Sequence, residues 1–494
     1  MKVRYFIIII ILLFLLTSPL HSENESIARK MYESGMAFYK NGKYEFALKD
    51  FDTVIKSFPK TEWAGLSLFQ KGIYYREQKA DLQEAEKQYE RFTQDFPAHR
   101  KMPIALVNLG EIQLELSKNK VELNEPIATF ERLLRLFPES ASAAKAAYLA
   151  ARAHKKRGEV QKALQKIQKV DKNFKNTGYY PDAILLKGLV LATEGEYVEA
   201  ARQLQELVSF KRGSEQAKKA LRYLAALQRL NLESDYKYKI DSSFSLEKSQ
   251  EFDEPKSIHI INNKKIVLFD IDLKRIFYLD LKGKLTDAPE VIGTANLITV
   301  SNDGKIMLLD REGNLQINGK KIPLKIISDG ESILLTEPAL ACTDSLGNLY
   351  VVSSNREHIF RFDRSGSFQT RLSKREFDEI RSISFDIFDH LYVIDDDYDG
   401  ILIFNQRGGD AGTIKATGAG YKLDEPAVLK FDSFNNLYVY DEDKNVIIVF
   451  NNNKKFIKEI SLPAPIDEVI DFGITDSGEI FLLDEDKETI YKIY

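Results

Sequence analysis

Cysteine is all but missing from this chain of 494 residues: Cys342 is the only one, so no intramolecular disulfide can form and the fold must be held by its core. Cys342 lies in an apolar stretch, the setting of a buried and inert thiol. Histidine is scarce as well, six in all and scattered. There is no H-E-x-x-H, no G-x-S-x-G and no G-x-x-x-x-G-K, which removes the zincin, nucleophile-elbow and P-loop chemistries. Gly418-Ala-Gly420 lacks the helix that a dinucleotide site needs and reads as a loop. Net charge is only −4, which argues against nucleic acid. With no catalytic constellation, the sequence reads as non-enzymatic and without a cofactor.

Long apolar runs are also lacking beyond the N-terminus. There, Lys2 and Arg4 precede an apolar run over 5–16, and Thr17, Ser18, Pro19 and Ser22 form a small, polar exit. This pattern predicts a signal peptide over 1–22, removed after Ser22, and therefore export to the periplasm. The alternative is an uncleaved anchor in the inner membrane, for which the run is short of the roughly 20 residues a spanning helix needs. No cysteine follows the run to carry a lipid.

What the chain has in abundance is repetition. From Ile27 to about Asn231 apolar residues recur at three- and four-residue intervals, and the unit is a helix pair. Gly35, Phe38, Ala47, Phe51 and Pro59 give way to Gly72, Tyr75, Ala85, Tyr89 and Pro97, and then to Gly110, Phe130 and Pro138. Small residues let paired helices approach, and proline ends the second helix. The third copy departs from this, with Gln113 where an aromatic belongs and Pro126 where alanine belongs. A fourth copy around Ala151, Ala163 and Ile167 lacks the proline, and a fifth carries Gly188, Leu191, Ala200 and Leu204 before a capping helix over 214–230. The spacings are those of the tetratricopeptide pattern. Together with the junctions Ser57-Phe-Pro-Lys-Thr, Asp95-Phe-Pro-Ala and Leu136-Phe-Pro-Glu-Ser, they resemble exported tetratricopeptide proteins of bacterial envelopes. Among these are the helical lipoprotein of the outer-membrane β-barrel assembly complex and the Tol-Pal-associated division coordinator. The resemblance implies an interaction protein. The lipid-attachment cysteine of the former and the coiled coil of the latter are not found here.

From Tyr236 the period becomes that of strands. Asp270, Asp310, Ser353, Asp395, Asp441 and Asp484 each end an apolar strand and recur 40 to 46 residues apart, the signature of a six-bladed β-propeller. The second copy, around Gly313 to Gly319, is the weakest. Asp344-Ser-Leu-Gly-Asn-Leu-Tyr, Asp386-Ile-Phe-Asp-His-Leu-Tyr and Asp432-Ser-Phe-Asn-Asn-Leu-Tyr resemble the NHL repeat, whose blades close as six-membered rings. That resemblance implies a fold and no activity. The last copy has three strands, so its fourth should come from the segment entering the domain, 236–246, which ties the ring shut.

The expected organisation is therefore multidomain, α then all-β. A signal peptide occupies 1–22, a tetratricopeptide α-solenoid with its cap 23–233, and an NHL-like propeller 234–494. Charge divides the domains, +7 over 23–235 against −13 over 236–494. The basic clusters at 152–157 and 211–219 read as solvated helix faces. The function expected is an exported scaffold that binds protein partners of the envelope through its groove and a propeller face. The alternatives are a metal-dependent lactonase- or lyase-type propeller enzyme and a glycan or small-solute binder. The pattern puts Tyr32, Tyr39, Lys40, Phe69 and Arg76 at groove positions. One metal candidate stands out: Asp395, Asp397 and Asp399, with Gly400, open like a calcium loop, but Gln406 occupies the position of the bidentate glutamate. Related acidic corners in other blades make turn formation the preferred reading. His259, in the inner strand of the first blade, is the one histidine placed to face the propeller's channel, but a lone histidine is more often an ordinary hydrogen-bonded residue, which is the preferred reading.

Overall fold

Glycine and proline fix where the helices lie. Placing a Cβ on Gly35 would bring it 2.7 Å from the ring of Phe51, on Gly72 2.7 Å from Tyr89, and on Gly188 2.6 Å from Leu204, while Gly110 is pressed against Phe130. Each contact joins the two helices of one pair, as the spacings predict. The computed structural model describes residues 23–244, 246, 252–301, 303–317, 319–328, 330–372 and 377–494. The signal peptide expected over 1–22 lies outside the described residues.

Eleven α-helices precede the sheets: α1 (23–40), α2 (Tyr44–Ser57), α3 (Glu62–Glu77), α4 (Leu82–Asp95), α5 (Met102–Leu116), α6 (Asn124–Leu136), α7 (Ala143–Lys156), α8 (Val160–Asn173), α9 (Tyr180–Thr193), α10 (Tyr197–Phe210) and α11 (Glu215–Leu227). Helices α2, α4 and α6 each stop at a phenylalanine before proline, Phe58, Phe96 and Phe137, because the residue ahead of proline is driven from helical geometry. Pro126 falls in the first turn of α6, where no intrahelical N–H bond is lost. Gln113, 5% exposed, is satisfied in place of an aromatic: it donates to Glu125 at 3.1 Å and accepts from Thr129 at 2.7 Å.

Among the described residues, six antiparallel sheets of three or four strands follow, at 255–291, 295–323, 340–372, 380–415, 426–461 and 469–493, here blades 1 to 6. Five have four strands in sequence order and the sixth has three. Alternate residues of each second strand point to opposite neighbours. In Leu391–Asp395, Leu391 and Val393 pack with blade 3, and Tyr392 and Ile394 with blade 5. Six such apolar clusters join blade 1 to 2, 2 to 3, and so on round to 6 and 1. At roughly 1.5–3 kcal/mol per fully buried large side chain, these clusters are the main source of the ring's stability. The weak second copy is a true blade with short outer strands, Asn314–Ile317 and Lys320–Pro323, followed by an inserted hairpin, Lys325–Ser328 with Glu331–Leu334.

The missing strand of blade 6 comes from the entering segment. Ile240 bridges Ile493, Lys239 and Tyr494 exchange two backbone hydrogen bonds of 3.0 Å, and Asp241 N–H donates to the Lys492 carbonyl at 2.7 Å.

The chain divides into two compact units, Met1–His154 and Lys155–Tyr494. Helices α8 to α11 thus share a unit with the propeller. Phe434, in a turn of blade 5, is 2% exposed in a cluster with Leu204, Tyr223, Ala226 and Leu227. The turn residue Phe388 of blade 4 lies against Gly158, and Gly478 of blade 6 against Ala226. After α11 comes a π-turn, Gln228–Leu232. Lys458 donates to the Arg229, Glu233 and Tyr236 carbonyls around it at 3.1 to 3.4 Å, as a cation at a helix C-terminus should.

Candidate functional site

Within Met1–His154 the first helices of successive pairs are cross-linked by charge. Arg76 of α3 reaches Glu111 at 3.1 Å and Glu115 at 3.0 Å on α5, and Lys145 of α7 reaches the same Glu111 at 2.7 Å. These pairs are partly exposed, so each contributes about 1 kcal/mol or less; their effect is to hold a file of charged side chains in fixed directions. Tyr39 stands at the head of this face, half-exposed, with its ring edge-on to Tyr44 at 5.2 Å and Tyr74 at 6.5 Å; burial raises its phenol. Lys40 beside it is exposed.

The other expected groove residues are placed differently. Phe69 is 5% exposed, wedged edge-on against Tyr89 and Phe92 with the Lys101 ammonium 4.6 Å above its ring. It is a packing residue, because it falls on the side of α3 that meets α4. Tyr32 is half-buried between Phe51 and Trp63 at 5.7 and 5.4 Å. Glu111, Glu115 and Lys145 were not singled out from the sequence. Their signal was an acidic i, i+4 pair with no basic partner on its own helix.

The acidic corners of the propeller are built from backbone bonds. Asp395 is buried, and its Oδ1 accepts the Asp378 and Glu379 N–H groups at 3.0 and 3.2 Å. Asp270, Asp441 and Asp484 accept in the same way from Asp253, Asp424 and Asp467. Asp397 and Asp399 are exposed. Among the described residues the one set of three potential ligand groups within 4.8 Å is Glu86, Glu90 and Glu125 on α4 and α6, so Asp395, Asp397 and Asp399 do not converge. Burial, then repulsion, raises Glu86, beside Glu90 and Glu125, and Glu90, beside Glu125. A cleft of about 170 Å³ between blades 4 and 5 is lined by Asp395, Asp396, Asp399, Asp424 and Glu425, with Arg381 bonded to Glu425 and Glu442 at 2.9 Å each.

Strand register defines a second place where polar side chains gather. Three residues before each strand-ending residue Asp270, Asp310, Ser353, Asp395, Asp441 and Asp484, the second strand faces, on the first strand, His259, Thr299, Cys342, Ser384, Lys430 and Gly473. These six form one tier around the central channel. His259, Cys342, Ser384 and Lys430 are partly exposed although they lie on the innermost strands, as channel-lining residues must be. Lys430 pairs with Asp471 at 2.7 Å. Burial, then the nearby Lys430 ammonium, lowers His259 to about 4, and burial pushes the Cys342 thiol up, so both are neutral. The sequence offered His259 as a channel residue but favoured an ordinary hydrogen-bonded one; Lys430, Cys342 and Asp471 were missed because only register shows them to share its surroundings.

No curated protein matches the chain. Among solved structures, a streptogramin B lyase is 13% identical with a TM-score of 0.38, covering 53% of this chain and 99% of its own. A virginiamycin B lyase from Staphylococcus aureus is 15% identical with a TM-score of 0.36, covering 52% and 99%. A putative gluconolactonase is 11% identical with a TM-score of 0.38, covering 52% and 91%. Likenesses this distant carry no argument about activity. The helical repeats have a closer relation: residues 24–147 match the family model of YfiO, an outer membrane lipoprotein.

Proposed function

We propose that the protein is an exported, non-enzymatic adaptor of the bacterial envelope, working in the periplasm, whose helical repeats hold a segment of a protein partner. The observation that carries this reading is the face formed by α1, α3, α5 and α7, where Arg76, Glu111, Glu115 and Lys145 are fixed by one another beside Tyr39 and Lys40. Oriented charges of both signs next to a half-exposed tyrosine suit a polar peptide with its own mixed charge, since such pairs give orientation and register more than affinity. The match of residues 24–147 to an envelope lipoprotein family supports the compartment.

The test is capture from native envelopes with cross-linking. A Tyr39→Ala/Lys40→Ala variant should lose a specific partner while its helical circular dichroism and melting temperature stay within the error of the parent. Undiminished capture by this variant, or capture that follows the propeller unit alone, would remove the groove from the reading.

A further inference from the structure

We propose that the propeller's central channel is a binding site for a small oxyanion of the carboxylate or phosphate kind, held at the tier of His259 and Lys430. Hydrogen-bond donors are in excess there. Lys430 carries three N–H bonds, and one is used by Asp471 Oδ1 at 2.7 Å. Asp471 has little capacity to spare, because Oδ1 also accepts from Phe472 N–H at 2.9 Å and Oδ2 accepts from Ile258 N–H at 3.0 Å, which fills three of its roughly four acceptor sites. Among the described residues Lys430 thus keeps donors to spare beside a carboxylate that is largely satisfied.

Beside them, on the first strand of blade 1, His259 Nε2 and, two residues before it, Ser257 Oγ are buried and have no protein partner. Such atoms cost about 1–3 kcal/mol each if left dry, so the channel must supply something polar. No unsatisfied carboxylate lies on the tier to repel an anion, and the thiol and imidazole are uncharged. Gly473, the sixth position of the tier, has no side chain, and Ile260 of blade 1 packs against it. The imidazole can place its proton on Nε2. With donors in excess, the matching ligand is rich in acceptors, and charge-assisted bonds from Lys430 to an oxyanion are stronger than those water would make.

The site is distinct from the helical groove and stands or falls separately. It is tested on the full chain by following the His259 ring protons by NMR, assigned with a His259→Gln variant, during titration with sodium acetate and then sodium phosphate at pH 7. Sodium chloride is the control for ionic strength. The expected result is a saturable shift with acetate or phosphate and none with chloride. Lys430→Met should weaken it by about tenfold or more, the loss expected for a charge-assisted bond. Should that variant unfold because Asp471 is left unpaired, Lys430→Met/Asp471→Asn removes both charges and should fold without the shift. A shift that never saturates, equals that of chloride, or keeps its midpoint in the double variant would overturn the site and leave a channel filled with water.

Discussion

Two largely buried residues of the propeller titrate in opposite senses. His259 is lowered from 6.5 to about 4, chiefly by burial and then by Lys430, with Asp471 opposing. Its folded form binds fewer protons than the unfolded chain between those values, so it withdraws stability as pH falls from 6.5 to 4. Asp432 is raised from 3.8 to about 6, chiefly by burial, against bonds from Asn436, Phe434 and Tyr438. It favours the fold at low pH, and that contribution is lost as pH rises from 3.8 through 6. Each effect is on the order of 2–3 kcal/mol, so the two largely offset one another. Relative to the parent, His259→Gln should gain stability on acidification from pH 6.5 to 4, and Asp432→Asn should lose it. Denaturant unfolding across this window checks both; parallel curves for all three proteins would show that neither group titrates as described.

At the level of the turn, an aspartate's position decides its value. Asp441 is fully buried and accepts the Asp424 and Lys444 N–H groups at 2.7 and 3.3 Å, whereas Asp443, two residues on, is exposed. Asp441→Ala should cost roughly 2–4 kcal/mol by orphaning buried donors, and Asp443→Ala close to nothing. A chelator should leave the melting temperature of the parent unchanged, because an ion that does not bind contributes no linkage. Thermal melts of the two variants and of the chelated parent measure this directly. A calcium-dependent rise that Asp397→Ala abolishes would restore the ion.

The same turns show how far the sequence could be read. Gly72 against Tyr89 and the recurrence of Asp441 were legible because one residue type returning at a fixed spacing points to one structural role. Phe69 misled, since a helix's groove side and its pairing side differ by one residue of rotation. Phe388 and Phe434 carried a signal that went unread: aromatic residues in turn positions that Leu346 and Ser477 occupy in other blades. What covers them is contributed by helices about 200 to 250 residues earlier in the chain, and no local pattern announces that.

For the unit Lys155–Tyr494 as a whole, helices α8 to α11 and the closing segment should be inseparable from the propeller. A chain beginning at Glu254 lacks Lys239, Ile240 and Asp241 and leaves an edge of blade 6 unpaired. One beginning at Ser234 keeps the closure but bares Phe434 and Phe388. Melting temperature should therefore fall in the order Lys155, Ser234, Glu254, with the last prone to aggregate. Equal stability of all three would mean that neither the closure nor the helical cover matters.

The bond between Lys239 and Tyr494 also sets a timetable. Synthesis from the N-terminus delivers Ile240 first and Ile493 only after five complete blades have emerged. Until then the propeller is an open arc with an apolar flank at either end, and each new blade lengthens the arc without sealing it. Contacts of such sequence separation form slowly. The arc spends that interval exposed to whatever else in the compartment seeks an apolar strand edge, so α8 to α11, already delivered and already shaped to blades 4 to 6, give the unfinished ring a surface of its own chain on which to rest.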